Sequence, residues 1–441
     1  MIAPFNLLAF SPASPRPRQS TPFCPSGFCH RPHRTMLKSL PFLFALLLTG
    51  QSAPPATRAP QTLLFSASTL AEARARLAIG DQGLRPAFTA LLAEANAALD
   101  LRPPSVMDKP RPAASGDKHD YFSLGPYWWP DPTKPDGLPY IRRDGVRNSS
   151  REHETDDAAF TRVCLAVESL GLGYWFTQDE RYAAKAATLV RVWFLDAATR
   201  MNPNFQHAQA IPGITDGRGI GIIESRRLLN LNEGLVLLGD SPAWTAGDRT
   251  ALKGWLAAFY AWLRTSANGR DEQNEHNNHG TWYDAQAAYL ALVLQQPDDA
   301  RAILREGLTR RLAAQVEPDG SQPHELARTK SMDYSIFNLE ALLVCARLAG
   351  RIGIDWWGYT SPDGRSLHAA LAFLAPYADP AMTWPRSDLH QDRRNQIIPQ
   401  LAVYLQHRDD PGFRALHDAH ATTLAADARS RLTAAPDQFT P

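Results

Sequence analysis

The chain has 441 residues, with 46 Lys and Arg against 45 Asp and Glu and a formal net charge of +1. Hydrophobic residues make up 44% and charged residues 21% of the sequence, which excludes a chain that is disordered throughout and allows a sizeable core. The balanced charge excludes the basic surface that nucleic-acid binding needs, so a polyanionic partner must be bound by local groups.

The first 60 residues are typical of an extension and a secretory signal sequence. Residues 36–53 place one Lys before an apolar run from Leu40 to Leu48, followed by small residues. This run is too short to span a bilayer. We therefore expect translation to start at Met36 and the mature protein to be periplasmic or secreted, without stable membrane association after cleavage of the signal.

Helical periodicity dominates from residue 68 onward, and strand-like alternation is nearly absent. The pattern predicts helices at residues 69–99, 155–177, 180–196, 220–238, 246–267, 278–294, 298–316, 332–353, 366–378, 396–407 and 411–433. Such helices bury their apolar stripes either in a superhelical array or in antiparallel hairpins that close into a toroid. Because no fixed repeat of residue identity occurs, we expect an all-α, incomplete (α/α) toroid that residues 61–441 form as a single domain.

Two long segments, residues 103–154 and 200–219, interrupt the helices and are rich in polar and aromatic residues. Loops of this length in a compact domain are usually functional or disordered, and the aromatic content argues against disorder. One interpretation is a strap that packs Trp128 and Trp129 over a helix end. The other is an aromatic and cationic wall over a sugar-binding cleft, and the two are compatible.

Two polar clusters lie where loops enter helices. Residues 274–284 read NEHNNHGTWYD, and residues 318–334 read PDGSQPHELARTKSMDY. In the first cluster, five amide or imidazole groups within six positions would each need a hydrogen-bond partner if they were buried. These clusters are therefore the candidates for chemistry.

A metal site is one interpretation, with Glu275, His276, His279 and His324 as ligands. The two His of the first cluster are three residues apart, however, and the zincin signature needs them four apart on one helix. A glycoside hydrolase is another interpretation, with a pair of carboxylates taken from Glu275, Asp284 and Glu325. No spacing in the sequence selects such a pair.

A third interpretation is β-elimination from a uronate polymer. The weakly acidic C5 proton can leave only if the adjacent carboxylate is neutralised, and Asn278 can donate hydrogen bonds to it. His279 or Tyr334 can act as the base, and Tyr334 can protonate the departing O4. Arg328 would bind a carboxylate or lower the pKa of Tyr334 toward the phenolate form.

At these loops and clusters the chain resembles the alginate lyase superfamily of α/α toroid polysaccharide lyases. The matching phrases, KHDYFSLGPYWWPDP, DGLPYIRRDG, MNPNFQHAQAIPG, GRGIGIIE, NNHGTWYD and DGSQPHELARTKSMDYSIFNLEAL, extend over roughly residues 100–345. The resemblance implies a Tyr/His lyase that needs no metal or other cofactor. Asn278 then neutralises the carboxylate, His279 is the base or a neutralising partner, Tyr334 is the acid or acid/base, and Arg328 holds Tyr334 and substrate.

The loops and clusters also supply the candidate contacts to an acidic polysaccharide. These are Lys118, His119, Tyr121, Trp128, Trp129, Arg142, Arg143, Asn204, Gln209, Asn277, Tyr283 and His324.

The identity of the polymer depends on two considerations. The YWWPDP and DGLPYIRRDG phrases are absent from the best-known alginate lyases of the superfamily, so glucuronan is an alternative to mannuronate-rich alginate. In β-D-mannuronate and β-D-glucuronate the C5 proton and O4 share a face, so one tyrosine can serve as base and acid, whereas α-L-guluronate needs a second base. A non-catalytic glycan-binding toroid is the alternative from another class, and it would not need Tyr and His to converge near Asn and Arg.

Overall fold

The computed structural model describes residues 60–149, 151–386, 388–389, 393–420, 424 and 427–433. The predicted signal sequence lies outside these residues, so export remains a prediction. The described residues form one compact unit. Among the described helices, none is both long and apolar enough to cross a membrane.

Sixteen α-helices make up most of the described part of the chain. They are α1 (Ala67–Ala78), α2 (Arg85–Leu99), α3 (Arg151–Glu154), α4 (Asp157–Thr177), α5 (Glu180–Val190), α6 (Arg227–Leu237), α7 (Ala246–Thr265), α8 (Ala267–Asn274), α9 (Asn278–Val293), α10 (Pro297–Gly307), α11 (Pro323–Leu326), α12 (Ser331–Arg351), α13 (Leu367–Leu374), α14 (Ile397–Leu405), α15 (Pro411–His420) and α16 (Ala428–Thr433).

The helices pack as an incomplete α/α toroid, as predicted. Helix α4 packs on α2, α5 and α6. Helix α9 packs on α10 and α12, and α12 also packs on α13 and α14. Helices α4 and α5, and likewise α9 and α10, are neighbours both in the chain and in space, as in a hairpin. Helix α16 returns to α1 and α2, near the start of the unit. The central helices are therefore buried on most sides, which explains why α4 and α9 are apolar around almost their whole circumference.

The predicted boundaries differ from the structure where the periodicity hides a break. The predicted helix 69–99 is two helices, because the chain turns at Gly80, which has a φ of +87°. The predicted helix 220–238 begins as a 3₁₀ segment over Gly219–Arg226 and becomes α-helical only at α6. The predicted helix 411–433 is interrupted between α15 and α16.

Helices α4 and α6 approach each other backbone to backbone at two glycines. A Cβ atom on Gly171 would lie 2.1 Å from the carbonyl oxygen of Gly234. A Cβ atom on Gly234 would lie 2.5 Å from the carbonyl oxygen of Val167. Only glycine fits at this crossing, because no other residue leaves room for the facing carbonyl.

The two long segments are ordered and contain short strands that the sequence pattern did not indicate. Strand β1 (Phe122–Leu124) pairs in parallel with β4 (His207–Ala210), and β2 (Trp128–Trp129) pairs antiparallel with β3 (Ile141–Arg142). Beneath them, the largely buried carboxylate of Glu224 accepts hydrogen bonds from Tyr121 Oη at 2.8 Å and Ser123 Oγ at 2.6 Å. Arg151 Nη2 donates to the other Glu224 oxygen at 3.1 Å. This network fixes both segments over the helices.

Candidate active site

The amino end of α9 carries the first polar cluster. Asn277 is the N-cap, and its side-chain oxygen accepts the backbone N–H of His279 at 2.9 Å. Asn278 follows with only 1% of its surface exposed. Its backbone N–H and its Nδ2 donate to the two carboxylate oxygens of the buried Glu325, at 2.6 and 2.8 Å. Glu325 therefore fixes the side-chain amide of Asn278 in one orientation, because only the NH₂ group can donate to a carboxylate.

His279 is held by a carboxylate that has no contact with water. Its Nδ1 lies 3.0 Å from Oε1 of Glu272, a residue of α8 with no exposed surface. The other Glu272 oxygen has no hydrogen-bond partner among the described residues. Burial alone would lower the pKa of His279, but the charge and hydrogen bond of Glu272 outweigh it and raise the pKa. The arrangement leaves Nε2 for the cleft and favours the charged imidazolium.

The second polar cluster places Tyr334 at the start of α12. Its hydroxyl oxygen lies 2.7 Å from the hydroxyl of Tyr127 and accepts a hydrogen bond from Arg328 Nη2 at 2.9 Å. The Arg328 guanidinium also lies 4.0 Å from the centroid of the Tyr334 ring. Asp144 Oδ1 accepts from the same Arg328 Nη2 at 3.0 Å, and this ion pair holds the guanidinium in place.

As predicted, the positive charge of Arg328 lowers the pKa of Tyr334, but the opposing effects are larger. Burial raises the pKa of Tyr334 far above its ordinary value, the neighbouring Tyr127 adds to the rise, and Arg328 opposes it without reversing it. By contrast, the pKa of Asp144 falls to about 2, because its hydrogen bonds and ion pair with Arg328 outweigh burial. The phenol is therefore protonated at neutral pH, as an acid must be before it protonates a leaving group.

The four predicted catalytic residues line one cleft of about 300 Å³. Its lining consists of Pro126, Tyr127, Trp128, Arg142, Gln209, Arg218, Ile220, Ile223, Glu275, Asn277, Asn278, His279, Arg328, Tyr334 and Phe337. Three arginines among these residues provide the local positive charge that the nearly neutral chain lacks overall. An amide, an imidazole and a phenol thus face a common space beside cations, which is the set of groups that an elimination from a uronate requires.

Of the predicted substrate contacts, the structure places Trp128, Arg142, Gln209 and Asn277 in the cleft lining. The prediction for Tyr121 and Tyr283 is wrong, because both rings are fully buried. The Tyr121 hydroxyl donates to Glu224, and that of Tyr283 donates to the carbonyl oxygen of Leu263 at 3.2 Å.

The remaining predicted contacts lie outside the cleft lining. Lys118 Nζ donates to the carbonyl oxygen of Met107, His119 Nδ1 lies 2.6 Å from the carbonyl oxygen of Arg200, and Asn204 donates to Asp120. Trp129 donates to the carbonyl oxygen of Val146 and lies under the guanidinium of Arg143, and both partners belong to the same long loop. His324 packs edge-on against His276.

The structure separates the residues that the other two interpretations needed together. His276 and His324 contact each other, whereas His279 binds Glu272, and no group of three His, Cys, Asp or Glu within the described residues is arranged as metal ligands.

Two of the three carboxylates proposed for a hydrolase are also occupied, and the third, Glu275, is the one carboxylate among the residues that line the described cleft. Asp284 forms a buried ion pair with Arg311 at 2.7 Å. Glu325 receives both hydrogen bonds of Asn278. Neither carboxylate is presented to a sugar in this arrangement.

Sequence reasoning missed four residues of the site, namely Tyr127, Asp144, Arg218 and Glu272. Tyr127 and Asp144 occur in phrases that were recognised, GPYWW and RRDG, but their spacing did not show which side chains face the cleft. Arg218 lines the cleft and donates to the carbonyl and side-chain oxygens of Gln209. Glu272 lies seven residues before His279, and the turn between α8 and α9 brings the two together.

Comparison with known proteins places this geometry in a family. The alginate lyase family model matches residues 105–384. Among solved structures, an alginate lyase from Bacteroides ovatus has 40% sequence identity and a TM-score of 0.81, and the match covers 85% of this chain and 99% of that protein. Alginate lyase A1-III from Sphingomonas species A1 has 19% identity and a TM-score of 0.51, over 82% of this chain and 93% of that protein, which is a likeness of fold alone. No significant match occurs among curated protein sequences. From the extent of the family match and the 40% identity, the chain belongs to the alginate lyase family.

Proposed function

We propose that the protein is a polysaccharide lyase that cleaves mannuronate-rich alginate by β-elimination and leaves a 4,5-unsaturated uronate end. The observation that carries this proposal is the convergence of two units on one cleft. One unit is the Asn278–His279 pair with its buried carboxylates. The other is Tyr334 with Arg328 and Tyr127 on its hydroxyl.

The first unit binds the carboxylate of the sugar that loses its C5 proton. Asn278 donates one amide hydrogen to Glu325 and has the second for the substrate. His279, charged because of Glu272, supplies a cation through Nε2. Both interactions strengthen as the carboxylate takes up the charge of the developing enolate, so they lower the barrier rather than only binding the ground state.

The second unit transfers the proton. Tyr334 in its phenolate form takes the C5 proton, the C4=C5 double bond forms as the C4–O4 bond breaks, and the resulting phenol protonates O4. Arg328 donates a hydrogen bond to the Tyr334 oxygen, and its positive charge stabilises this rarely populated form. One group can serve both steps because the C5 proton and O4 of mannuronate share a face.

A second mechanism uses neutral His279 as the base and Tyr334 as the acid only. In both mechanisms the active form of the enzyme has lost one proton from the His279–Tyr334 pair, either from Tyr334 or from His279. The two mechanisms therefore have the same pH dependence. Substitution of His279 separates them, as described in the Discussion.

The experiment that tests the proposal is incubation of the protein with mannuronan, guluronan, mixed alginate and glucuronan while ultraviolet absorbance is recorded. Elimination conjugates C4=C5 with the carboxylate and produces a chromophore, whereas hydrolysis does not. We expect the fastest increase on mannuronan. If reducing ends formed without an increase in absorbance, the protein would not be a lyase. If glucuronan were cleaved faster than mannuronan, the proposed substrate would be wrong, but the proposed reaction would stand.

Export and independence from metal are further parts of the proposal. N-terminal sequencing of the mature protein tests whether a signal sequence that begins near Met36 has been removed. Activity is expected to survive exhaustive chelation, because Asn278 and His279 provide the carboxylate neutralisation. Loss on chelation with recovery on adding zinc or calcium would contradict this assignment.

A further inference from the structure

A second cavity of about 260 Å³ adjoins the catalytic cleft. The two share Tyr127, Ile223, Tyr334 and Phe337, so they meet at the hydrogen-bonded pair of tyrosines. Asn278 and His279 line only the cleft. The second cavity is lined instead by Arg226, Lys330, Asp333 and Arg393. A polymer that passes Tyr334 therefore enters a second space that contains three basic side chains.

Arg226 is a basic residue of this cavity to which the described part of the chain supplies no ion pair. It ends the 3₁₀ segment ahead of α6 and is half-buried. Its Nη1 donates to the carbonyl oxygen of Ile223 at 3.0 Å, and its guanidinium lies 5.1 Å from the Phe337 ring centroid and 6.0 Å from that of Trp282. Among the described residues, no carboxylate forms an ion pair with it. The Nε and Nη2 groups of Arg226 have no hydrogen bond to a described residue, so they are left for a ligand.

The surroundings make this lone cation energetically costly. Burial, together with the positive charges of Arg227 and Arg393, lowers the pKa of Arg226 to about 9, although the charges of Glu340 and Glu224 act in the opposite direction. Arg393, by contrast, binds Glu340 at 3.2 Å while its guanidinium covers Phe337 at 4.5 Å. A partly desolvated cation beside like charges is stabilised most by an anion that arrives with the ligand.

The acidic residue of the cavity, Asp333, does not neutralise Arg226 through an ion pair. Asp333 is 7% exposed, and its Oδ1 accepts the backbone N–H of Arg393 at 2.9 Å. The cavity therefore presents a guanidinium with a preference for a planar, bidentate acceptor, which is the geometry of a carboxylate.

We propose that Arg226 binds the carboxylate of a second uronate residue of the polymer, on the side of Tyr334 away from Asn278 and His279. This subsite rests on the proposed function, and it makes the enzyme selective for a chain that is charged on both sides of the cleaved bond. Tyr127 and Phe337 form the boundary that this second sugar passes.

The test compares binding in a catalytically silenced protein, so it does not depend on turnover. The Kd of a mannuronate hexamer is measured by calorimetry for Tyr334→Phe alone and combined with Arg226→Gln. Loss of a charged hydrogen bond is expected to raise the Kd roughly tenfold or more. Arg226→Lys retains the charge but not the bidentate geometry, so its Kd should lie between the values for Arg226 and for Arg226→Gln. Arg305→Gln, which removes an exposed arginine of α10, is the matched control and should leave the Kd unchanged.

A Kd within twofold of the Tyr334→Phe value for the Arg226→Gln combination, in a protein with an unchanged melting curve, would overturn the subsite. Failure of the proposed function is detected separately, by the absence of the ultraviolet chromophore with the wild-type protein. In the active background, Arg226→Gln should raise KM more than it lowers kcat.

Discussion

Tyr127 and Tyr334 bring their hydroxyl oxygens to 2.7 Å of each other, although 207 residues separate them in the chain. The first tyrosine belongs to a long loop and the second to the first turn of α12. Arg328 donates to the Tyr334 oxygen at 2.9 Å. Tyr334 therefore has two polar partners on its reacting atom. Tyr127 acts on the reaction through its hydrogen bond to Tyr334. Loss of the Tyr127 hydroxyl should therefore lower the activity less than loss of the Tyr334 hydroxyl.

The first prediction is that Tyr334→Phe abolishes most of the activity while the protein stays folded. The ring and its packing remain, but the proton-transfer group is lost, and general acid–base catalysis is worth about 10²–10⁴-fold. Initial rates from ultraviolet absorbance, with melting curves for folding, provide the measurement. Tyr127→Phe is the matched control and should cost less, because it removes one hydrogen bond and not the acid. Near-normal turnover of a folded Tyr334→Phe protein would show that the acid lies elsewhere.

The second prediction separates the two roles of His279. If Tyr334 is both base and acid on mannuronan, His279→Gln keeps a donor for the carboxylate and should cost less than His279→Ala. If His279 is the base, both variants lose the full 10²–10⁴-fold expected for a general base, and they lose it equally. Rates on mannuronan and guluronan distinguish the outcomes. Guluronan should suffer more in either variant, because its C5 proton and O4 lie on opposite faces.

The third prediction concerns pH and Glu272. Activity requires one proton to leave the His279–Tyr334 pair, so the acid limb of the pH profile follows the pKa of His279. That pKa is raised by Glu272 against the effect of burial. Glu272→Gln removes the carboxylate charge, so the pKa falls and the acid limb should move to lower pH. A profile of kcat/KM for both proteins checks the shift, and an unchanged acid limb would show that another group controls it.

The sequence was sufficient for the helical architecture and for the two polar clusters, because both depend on local patterns. Helical periodicity predicted α4, α7, α9 and α12 closely. The short strands were missed because two to four residues are too few to establish an alternation. The clusters were found because amides, imidazoles and a guanidinium in sequence are costly to bury without partners.

The sequence did not predict which loop residues reach the site, because the direction of their side chains depends on the tertiary fold. Tyr121 and Tyr127 are six residues apart in one irregular loop, yet Tyr121 donates to the buried Glu224 and Tyr127 reaches Tyr334. No periodicity applies to such a loop, so spacing gives no direction for either ring. The pairing of His279 with Glu272 depends in the same way on the angle between α8 and α9.

The fourth prediction concerns the carboxylate behind Asn278. Asn278→Ala removes a donor aimed at developing charge, so it should lower kcat by roughly 10²–10³-fold. Glu325→Gln keeps the shape of the side chain but can present an NH₂ group to the amide of Asn278, so the amide loses its fixed orientation. We expect a smaller fall in kcat for Glu325→Gln than for Asn278→Ala, with little change in KM. Equal losses in KM and kcat would instead indicate a general disturbance of the site.

The fifth prediction tests the crossing of α4 and α6 that supports the site. A methyl group on Gly171 would meet the carbonyl oxygen of Gly234 at 2.1 Å, so the two helices must move apart. Overpacking typically costs about 1–3 kcal/mol, and Gly171→Ala should lie at or beyond the upper end because the clashing atoms are backbone. Gly254→Ala is the matched control, since Gly254 is exposed within α7 and its added Cβ would contact nothing within 4 Å. There the change should stabilise the protein by up to about 1 kcal/mol through helix propensity. Chemical denaturation of both variants gives their free energies of unfolding. We expect the change from the wild type to be a decrease for Gly171→Ala and an increase for Gly254→Ala. If Gly171→Ala were as stable as the wild type, α4 and α6 could not be in backbone contact, and the placement of Glu224 and Arg226 just before α6 would need a different support.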